Sequence, residues 1–338
     1  MVVQERPKIA CVCSVLFTFA STVPAGSPEI VSVERMWDQA QHNAFTDLIR
    51  FRSQWYCTFR EADSHAGGED GKMRVLVSSD GRKWSSAGLL AEEGIDLRDP
   101  KLSITPDGQL MLVVGGSVYE GKRFLTRRPR VAFSKNGRDW TPARPILAED
   151  HWLWRVTWYK GRAYGVSKLG EGAACRRAFL YSSTDGLRWE WITKLDIPGV
   201  SETTLRFGPD DEMIALVRRE AGNKHAWIGT SRPPYKQWTW HETKYRVGGP
   251  NFIRLPDGQL WAGARRYDLP EGQRTVLARM TRNSYEPVLT LPSGGDTSYP
   301  GLVWHDNLLW MTYYASHEGK ANIYLAKIRL SRQGSGEE

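Results

Sequence analysis

The residues able to do chemistry are spread thinly along this chain, and only their types and order connect them. Glu202 is followed sixteen residues on by Arg218, then by Arg265 and Tyr299. Upstream lie Arg60, Arg98, Asp99 and Arg155, and a first segment holding His42, Asp63 and His65. Arginines gathered at one place repel each other, so such a set implies a bound anion or interleaved carboxylates. Carboxylates, a tyrosine and histidines among them would supply proton transfer and a nucleophile. That inventory suits the cleavage of a negatively charged molecule. No motif here requires a metal or another cofactor.

Residues this far apart meet only in a repeating fold, and the sequence does repeat. Ser78-Ser79-Asp80-Gly81-Arg82-Lys83-Trp84, Ser134-Lys135-Asn136-Gly137-Arg138-Asp139-Trp140 and Ser183-Thr184-Asp185-Gly186-Leu187-Arg188-Trp189 are copies of one motif, starting 56 and then 49 residues apart. Each follows an alternating apolar run, and its Asp/Asn-Gly pair predicts a hairpin turn. Periods of this size belong to propeller blades. Between them a strand–turn–strand unit occurs six times, at 45–61, 99–117, 155–168, 202–220, 250–267 and 299–316. Pro106-Asp107-Gly108, Pro209-Asp210-Asp211 and Pro256-Asp257-Gly258 mark equivalent turns. The last copy lacks a fourth strand, and the alternating stretch 30–36 is predicted to supply it and close the ring. Helical periodicity is missing, which argues against a two-domain α/β enzyme. The predicted fold is all-β, a six-bladed β-propeller over 26–332 with a disordered tail at 333–338.

In such a ring the innermost strands converge on one mouth. Alignment on the turns puts Arg60, Gly115, Lys168, Arg218, Arg265 and Tyr314 at one level. Asp99, Arg155, Glu202, Gly249-Pro250 and Tyr299 form a second level, and His42-Asn43-Ala44-Phe45 opens the first blade. Asp80, Asn136 and Asp185 read as turn residues away from the mouth. Trp152, Trp154, Trp158, Trp238 and Trp240 read chiefly as packing between blades, with sugar stacking as the other use.

Composition narrows the partner. Forty-six Lys and Arg against 38 Asp and Glu give a net charge of +8 over 338 residues. No basic run is long enough to track phosphates and no zinc-finger or helix-turn-helix spacing occurs, so an acidic small substrate is expected rather than nucleic acid. Arg6 and Lys8 precede an apolar stretch at 9–23 that ends in Val23-Pro24-Ala25. This is the layout of a signal peptide over 1–25, predicting a secreted or periplasmic protein with no stable membrane insertion after its removal. Cys11 and Cys13 leave with that segment; Cys57 and Cys175 are expected as buried free thiols.

The Ser-x-Asp/Asn-Gly-x-x-Trp copies resemble the Asp boxes of the sialidase superfamily, whose architecture is the six-bladed propeller. The resemblance implies a nucleophilic tyrosine assisted by a glutamate, matching Tyr299 and Glu202, with Arg218 and Arg265 binding the carboxylate of an acidic sugar. It also implies an acid/base group after the first blade's second strand, at Asp63 or His65, and a sugar contact at Asp99 within Arg98-Asp99-Pro100. Sialidases open the first blade with an arginine; here Ala44-Phe45-Thr46 stands in its place, with Arg60 or Arg155 as the candidate replacement and His42 nearby. The expected partner is an acidic glycan or sialoglycoconjugate, cleaved by an exo-glycosidase. A uronic-acid glycan lyase or atypical glycosidase, and a non-catalytic glycan-binding propeller, are the alternatives on the same scaffold.

Overall fold

A computed structural model describes residues 26–170 and 177–330. The predicted leader, Cys175 and the predicted tail lie outside these residues. All 24 elements among them are strands, arranged as six four-stranded antiparallel sheets. The first strand, β1 (Glu29–Trp37), stands apart from its neighbours in sequence. Blade 1 is β2 (His42–Phe51), β3 (Gln54–Ala62), β4 (Lys72–Ser78) and β5 (Ser85–Leu90). Blade 2 is β6 (Asp96–Ile104), β7 (Leu110–Glu120), β8 (Arg123–Ser134) and the short β9 (Arg144–Pro145). Blade 3 follows as β10 (His151–Tyr159), β11 (Arg162–Leu169), β12 (Arg177–Ser183) and β13 (Glu190–Leu195). Blade 4 comprises β14 (Val200–Phe207), β15 (Met213–Arg219), β16 (Trp227–Ser231) and β17 (Thr239–Glu242). Blade 5 comprises β18 (Gly248–Arg254), β19 (Leu260–Arg266), β20 (Arg274–Met280) and β21 (Tyr285–Thr290). Blade 6 contributes only β22 (Thr297–His305), β23 (Leu308–Ala315) and β24 (Asn322–Arg329); β1 pairs with β24 as its outer strand. The ring is therefore closed by the amino-terminal strand, as its alternating pattern predicts.

The three hairpin motifs fold alike. Asp80 Oδ1 accepts the Arg82 and Lys83 backbone N–H groups at 2.8 and 3.0 Å, and Ser78 Oγ accepts from Gly81 at 2.8 Å. Asn136 and Asp185 make the same bonds in their turns. The turn glycine also meets the preceding blade: a Cβ on Gly137 would lie 2.2 Å from the Tyr56 ring. These turns stand at the end of the blades opposite the mouth, because Trp55 pairs with Ser78 while Arg60 pairs with Met73.

Polar side chains stitch the six innermost strands around the central axis. Thr46 donates to the Tyr299 carbonyl, Lys101 to the Phe45 and Thr46 carbonyls, and Thr204 to the Pro250 carbonyl. Asn251 donates to the Pro300 carbonyl, completing the path from blade 4 to blade 6. The buried Asp47 carboxylate accepts the Leu102 N–H at 2.8 Å and both oxygens face Arg155 Nη1 at 2.9 Å. Buried polar groups survive only when paired, so this set fixes blade-to-blade register as well as filling the axis.

Candidate active site

Every innermost strand carries a two-residue irregularity at its mouth end: 45–46, 99–100, 154–155, 201–202, 249–250 and 299–300 are the unpaired steps. Such bulges bend a strand and re-aim its side chains. Phe45, Asp99, Gly249 and Tyr299 take positive φ there, at 68, 53, 55 and 56°. For a residue with a Cβ this conformation costs about 1 kcal/mol or more, and it turns Tyr299 and Asp99 toward the mouth side. Gly249 leaves the room: a Cβ on it would lie 2.5 Å from the Tyr299 ring. The ladder also corrects the register expected from the turns. Ser167 and Arg219, rather than Lys168 and Arg218, stand level with Arg60, Gly115, Arg265 and Tyr314, and Trp154 and Ser201 are the equivalents of Asp99 and Tyr299.

Tyr299, Glu202 and Arg218 meet at an open cleft of about 580 Å³. The Tyr299 hydroxyl donates to Glu202 Oε1 at 2.9 Å, and Arg218 Nη1 reaches the two Glu202 oxygens at 3.1 and 3.0 Å. The same Arg218 nitrogen is 3.5 Å from the Tyr299 oxygen, and Glu220 holds the other side of the guanidinium at 2.6 Å. Burial opposes the charge on Glu202, but Arg218, Lys168 and the Tyr299 hydrogen bond outweigh it and hold the carboxyl at about 2. Burial and the nearby Glu202 and Asp99 push Tyr299 well above the ordinary phenol range. The proton between them therefore rests on the tyrosine. Asp99, also on the cleft, is raised by burial despite Lys101 and Arg98, and its Oδ1 has no hydrogen-bond partner.

Other expected residues go elsewhere. Arg60 is fully buried, donating to Asp96 Oδ1 at 2.8 Å and to the Ser64 carbonyl at 2.7 Å. Arg155 is consumed by Asp47 on the axis. Neither lines the cleft, so neither stands in for an arginine at Phe45. Asp63 is turned to the Glu69 N–H at 3.0 Å and the Ser64 hydroxyl, and does not line the cleft, whereas His65 does. Arg98 borders the cleft beside Tyr119 and 5.3 Å over the Phe45 ring. Arg265 is held by the Thr297 carbonyl at 2.6 Å, Tyr314 at 3.0 Å and Asp296 at 3.1 Å.

Asp296 is the residue that sequence reasoning missed. Its Oδ1 accepts from Tyr314 at 2.7 Å and Arg265; its Oδ2 lies 3.1 Å from His42 Nε2 and 2.7 Å from His65 Nδ1. A signal for it existed. Asp96 and Asp296 each stand three residues before the bulge position of their blade, and each neutralises the level arginine of the preceding blade, Arg60 or Arg265. The ring atoms of His42 and His65 and an Asp296 oxygen lie within 4.8 Å of one another, so these three could ligate a metal ion. Binding one would replace both His–carboxylate hydrogen bonds.

Solved structures share this architecture. A protein of unknown function from Dyadobacter fermentans superposes with a TM-score of 0.80 at 18% identity, covering 91% of this chain and 100% of that one. Trypanosoma rangeli sialidase gives 0.68 at 12% identity over 85% of this chain and 55% of its own, so this chain spans about half its length. A mutant α-L-arabinofuranosidase from Fusarium graminearum, solved with an iminosugar inhibitor, gives 0.67 at 13% identity over 89% of this chain and 98% of its own. No family model and no curated protein matches the sequence. At these identities the likeness is one of fold: the chain is a six-bladed propeller of the architecture that also carries a sialidase and an arabinofuranosidase.

Proposed function

We propose that this protein is an exported exo-glycosidase that removes a terminal acidic sugar from glycans by double displacement through Tyr299. The observation that carries the reading is the buried Tyr299–Glu202 hydrogen bond of 2.9 Å at the cleft, with Arg218 against both groups. A neutral phenol can approach the anomeric carbon of an anionic sugar, where a carboxylate would be repelled. As the new bond forms, the phenol becomes acidic and Glu202 takes its proton; Arg218 steadies the charge that shifts between them. Arg98, Arg127, Lys168, Arg218 and Lys224 face the cleft against Asp99, Glu202 and Glu220. That cationic excess supports an acidic glycan, and the unpartnered Asp99 oxygen supports a hydroxyl contact with the ring. Sialic acid is the first acidic sugar to test.

A uronic-acid lyase is the second reading. It is favoured by Arg265 being engaged by Asp296 and by a phenylalanine at position 45, which leave no three-arginine clamp. The decisive assay is release of 4-methylumbelliferone from its α-sialoside beside uronate glycans, with Tyr299→Phe as control. Release that depends on Tyr299 supports the hydrolase, and residual binding by the variant is expected. New ultraviolet absorbance from an unsaturated uronate supports the lyase. Glycan binding with no product under either assay would overturn both.

A further inference from the structure

The reading above needs a group that gives a proton to the leaving oxygen, and Asp296 identifies its partner. This carboxylate receives four side-chain donors, His42 and His65 on one oxygen and Tyr314 and Arg265 on the other. Both of its oxygens are taken and it does not line the cleft, so it is not the acid itself. What it does is dictate tautomers, because an ionised carboxylate only accepts. His65 must carry its hydrogen on Nδ1, which leaves Nε2 on the far edge of the ring. His42 must carry its hydrogen on Nε2, and its Nδ1 is buried with no partner.

The two histidines then differ in access. His42 is mostly buried, whereas the His65 side chain is 51% exposed and lines the same cleft as Tyr299, Glu202 and Asp99. The Phe45 ring meets His65 edge to face at 5.1 Å and 88°, fixing the plane of the imidazole. Phenylalanine at position 45 sets no charge against His65, and Asp296 neutralises Arg265.

We propose that His65 and Asp296 are the proton-transfer pair of this site, with His65 the catalytic residue and Asp296 its positioning residue. The inference rests on the glycosidase reading. In the first step the Tyr299 oxygen bonds to the anomeric carbon and its proton passes to Glu202. The glycosidic carbon–oxygen bond breaks, and the leaving oxygen takes the Nε2 proton of the His65 imidazolium. In the second step a water oxygen bonds to the anomeric carbon and gives its proton to Nε2, while the Tyr299 oxygen departs and recovers its proton from Glu202. Atoms and charge balance over the cycle.

The test compares two leaving groups, sialyl-lactose with a poor one and 4-methylumbelliferyl α-sialoside with a good one. In kcat/KM, which reports the first step alone, loss of a general acid is expected to slow the former by roughly 10²–10⁴-fold and the latter far less, since a good leaving group needs little protonation. His65→Gln should show this split, and Asp296→Asn the same split more weakly. Equal losses on both substrates, or the split in Asp99→Asn or Asp63→Asn instead, would overturn the assignment. A second readout does not need turnover: ¹⁵N spectra of His-labelled protein should show the Nδ1–H tautomer of His65, disturbed in Asp296→Asn. An Nε2–H tautomer in the unmodified protein refutes the pair. An Nδ1–H tautomer in a protein silent on both sialosides refutes the sialoside reaction, and with it the role of the pair in cleaving one.

Discussion

Arg60, Arg155 and Arg265 show why an arginine count does not make a carboxylate clamp. Each is neutralised by an aspartate from another blade: Asp96, Asp47 and Asp296. Arg218 differs because its carboxylate partner, Glu202, is itself bonded to the Tyr299 hydroxyl. This pairing makes Glu202 a source of acid lability. Its pKa is lowered from 4.5 to about 2 in the fold, so the stabilisation is complete above the unfolded value and is lost as pH falls through the folded one. The linkage is on the order of 3 kcal/mol. Urea melts of the unmodified protein should therefore weaken more steeply between pH 4.5 and about 2 than those of Glu202→Gln. Parallel curves would mean that Glu202 is not held ionised by Arg218.

At the scale of the elements, two local devices do most of the positioning. The mouth-end bulges aim Tyr299 and Asp99, and Gly249 makes room for the tyrosine ring. Gly249→Ala should thus fold yet lose most Tyr299-dependent turnover; full activity would show that the ring can shift without consequence. The hairpin turns act at the opposite end by bracing one blade on the last. Gly137 and Gly108 both have positive φ, at 76 and 77°, but a Cβ at 137 collides with Tyr56 while nothing lies within 4 Å at 108. Each alanine substitution costs about 1 kcal/mol for backbone conformation. Gly137→Ala should lose roughly 1–3 kcal/mol more from overpacking, measured as the difference in urea midpoints. Equal effects would mean that the turn does not brace the blades.

For the molecule as a whole, closure and site are coupled. β1 covers the open side of β24, and the chain that leaves it runs directly into His42 and Asn43. The Asn43 backbone and side chain both donate to the Ala321 carbonyl, at 3.0 and 2.9 Å, locking blade 1 against blade 6. Across this junction His42 and His65 reach Asp296, and Trp55 stacks on Trp310 at 4.1 Å. Removing Glu29–Trp37 should leave an unpaired edge strand and a loosened junction. Size-exclusion chromatography is expected to show self-association, with the near-ultraviolet signal of the tryptophans diminished. A monomer with unchanged melting would show that the last blade stands with three strands.

What the sequence determined by itself was what short-range chemistry encodes. Asp/Asn-Gly turns, alternating runs and their period suffice for six blades, and a lone alternating stretch ahead of an incomplete last blade suffices for the closing strand. The order Glu202, Arg218, Tyr299 was likewise legible, since the repeat brings equivalent strand ends to one mouth. Tertiary structure decided the rest. The run from the turn to the mouth bulge is one residue longer in blades 1, 4 and 6 than in blades 2, 3 and 5, which the turns by themselves do not reveal, so Lys168 and Arg218 read as level with Arg265 when Ser167 and Arg219 are. Asp63 and His65 are two positions apart, and only the path of their loop turns one to the Glu69 backbone and the other to the cleft. Asp296 meets His42 across 254 residues. A carboxylate's partners at that separation are set by how the ring closes, and no local pattern records it.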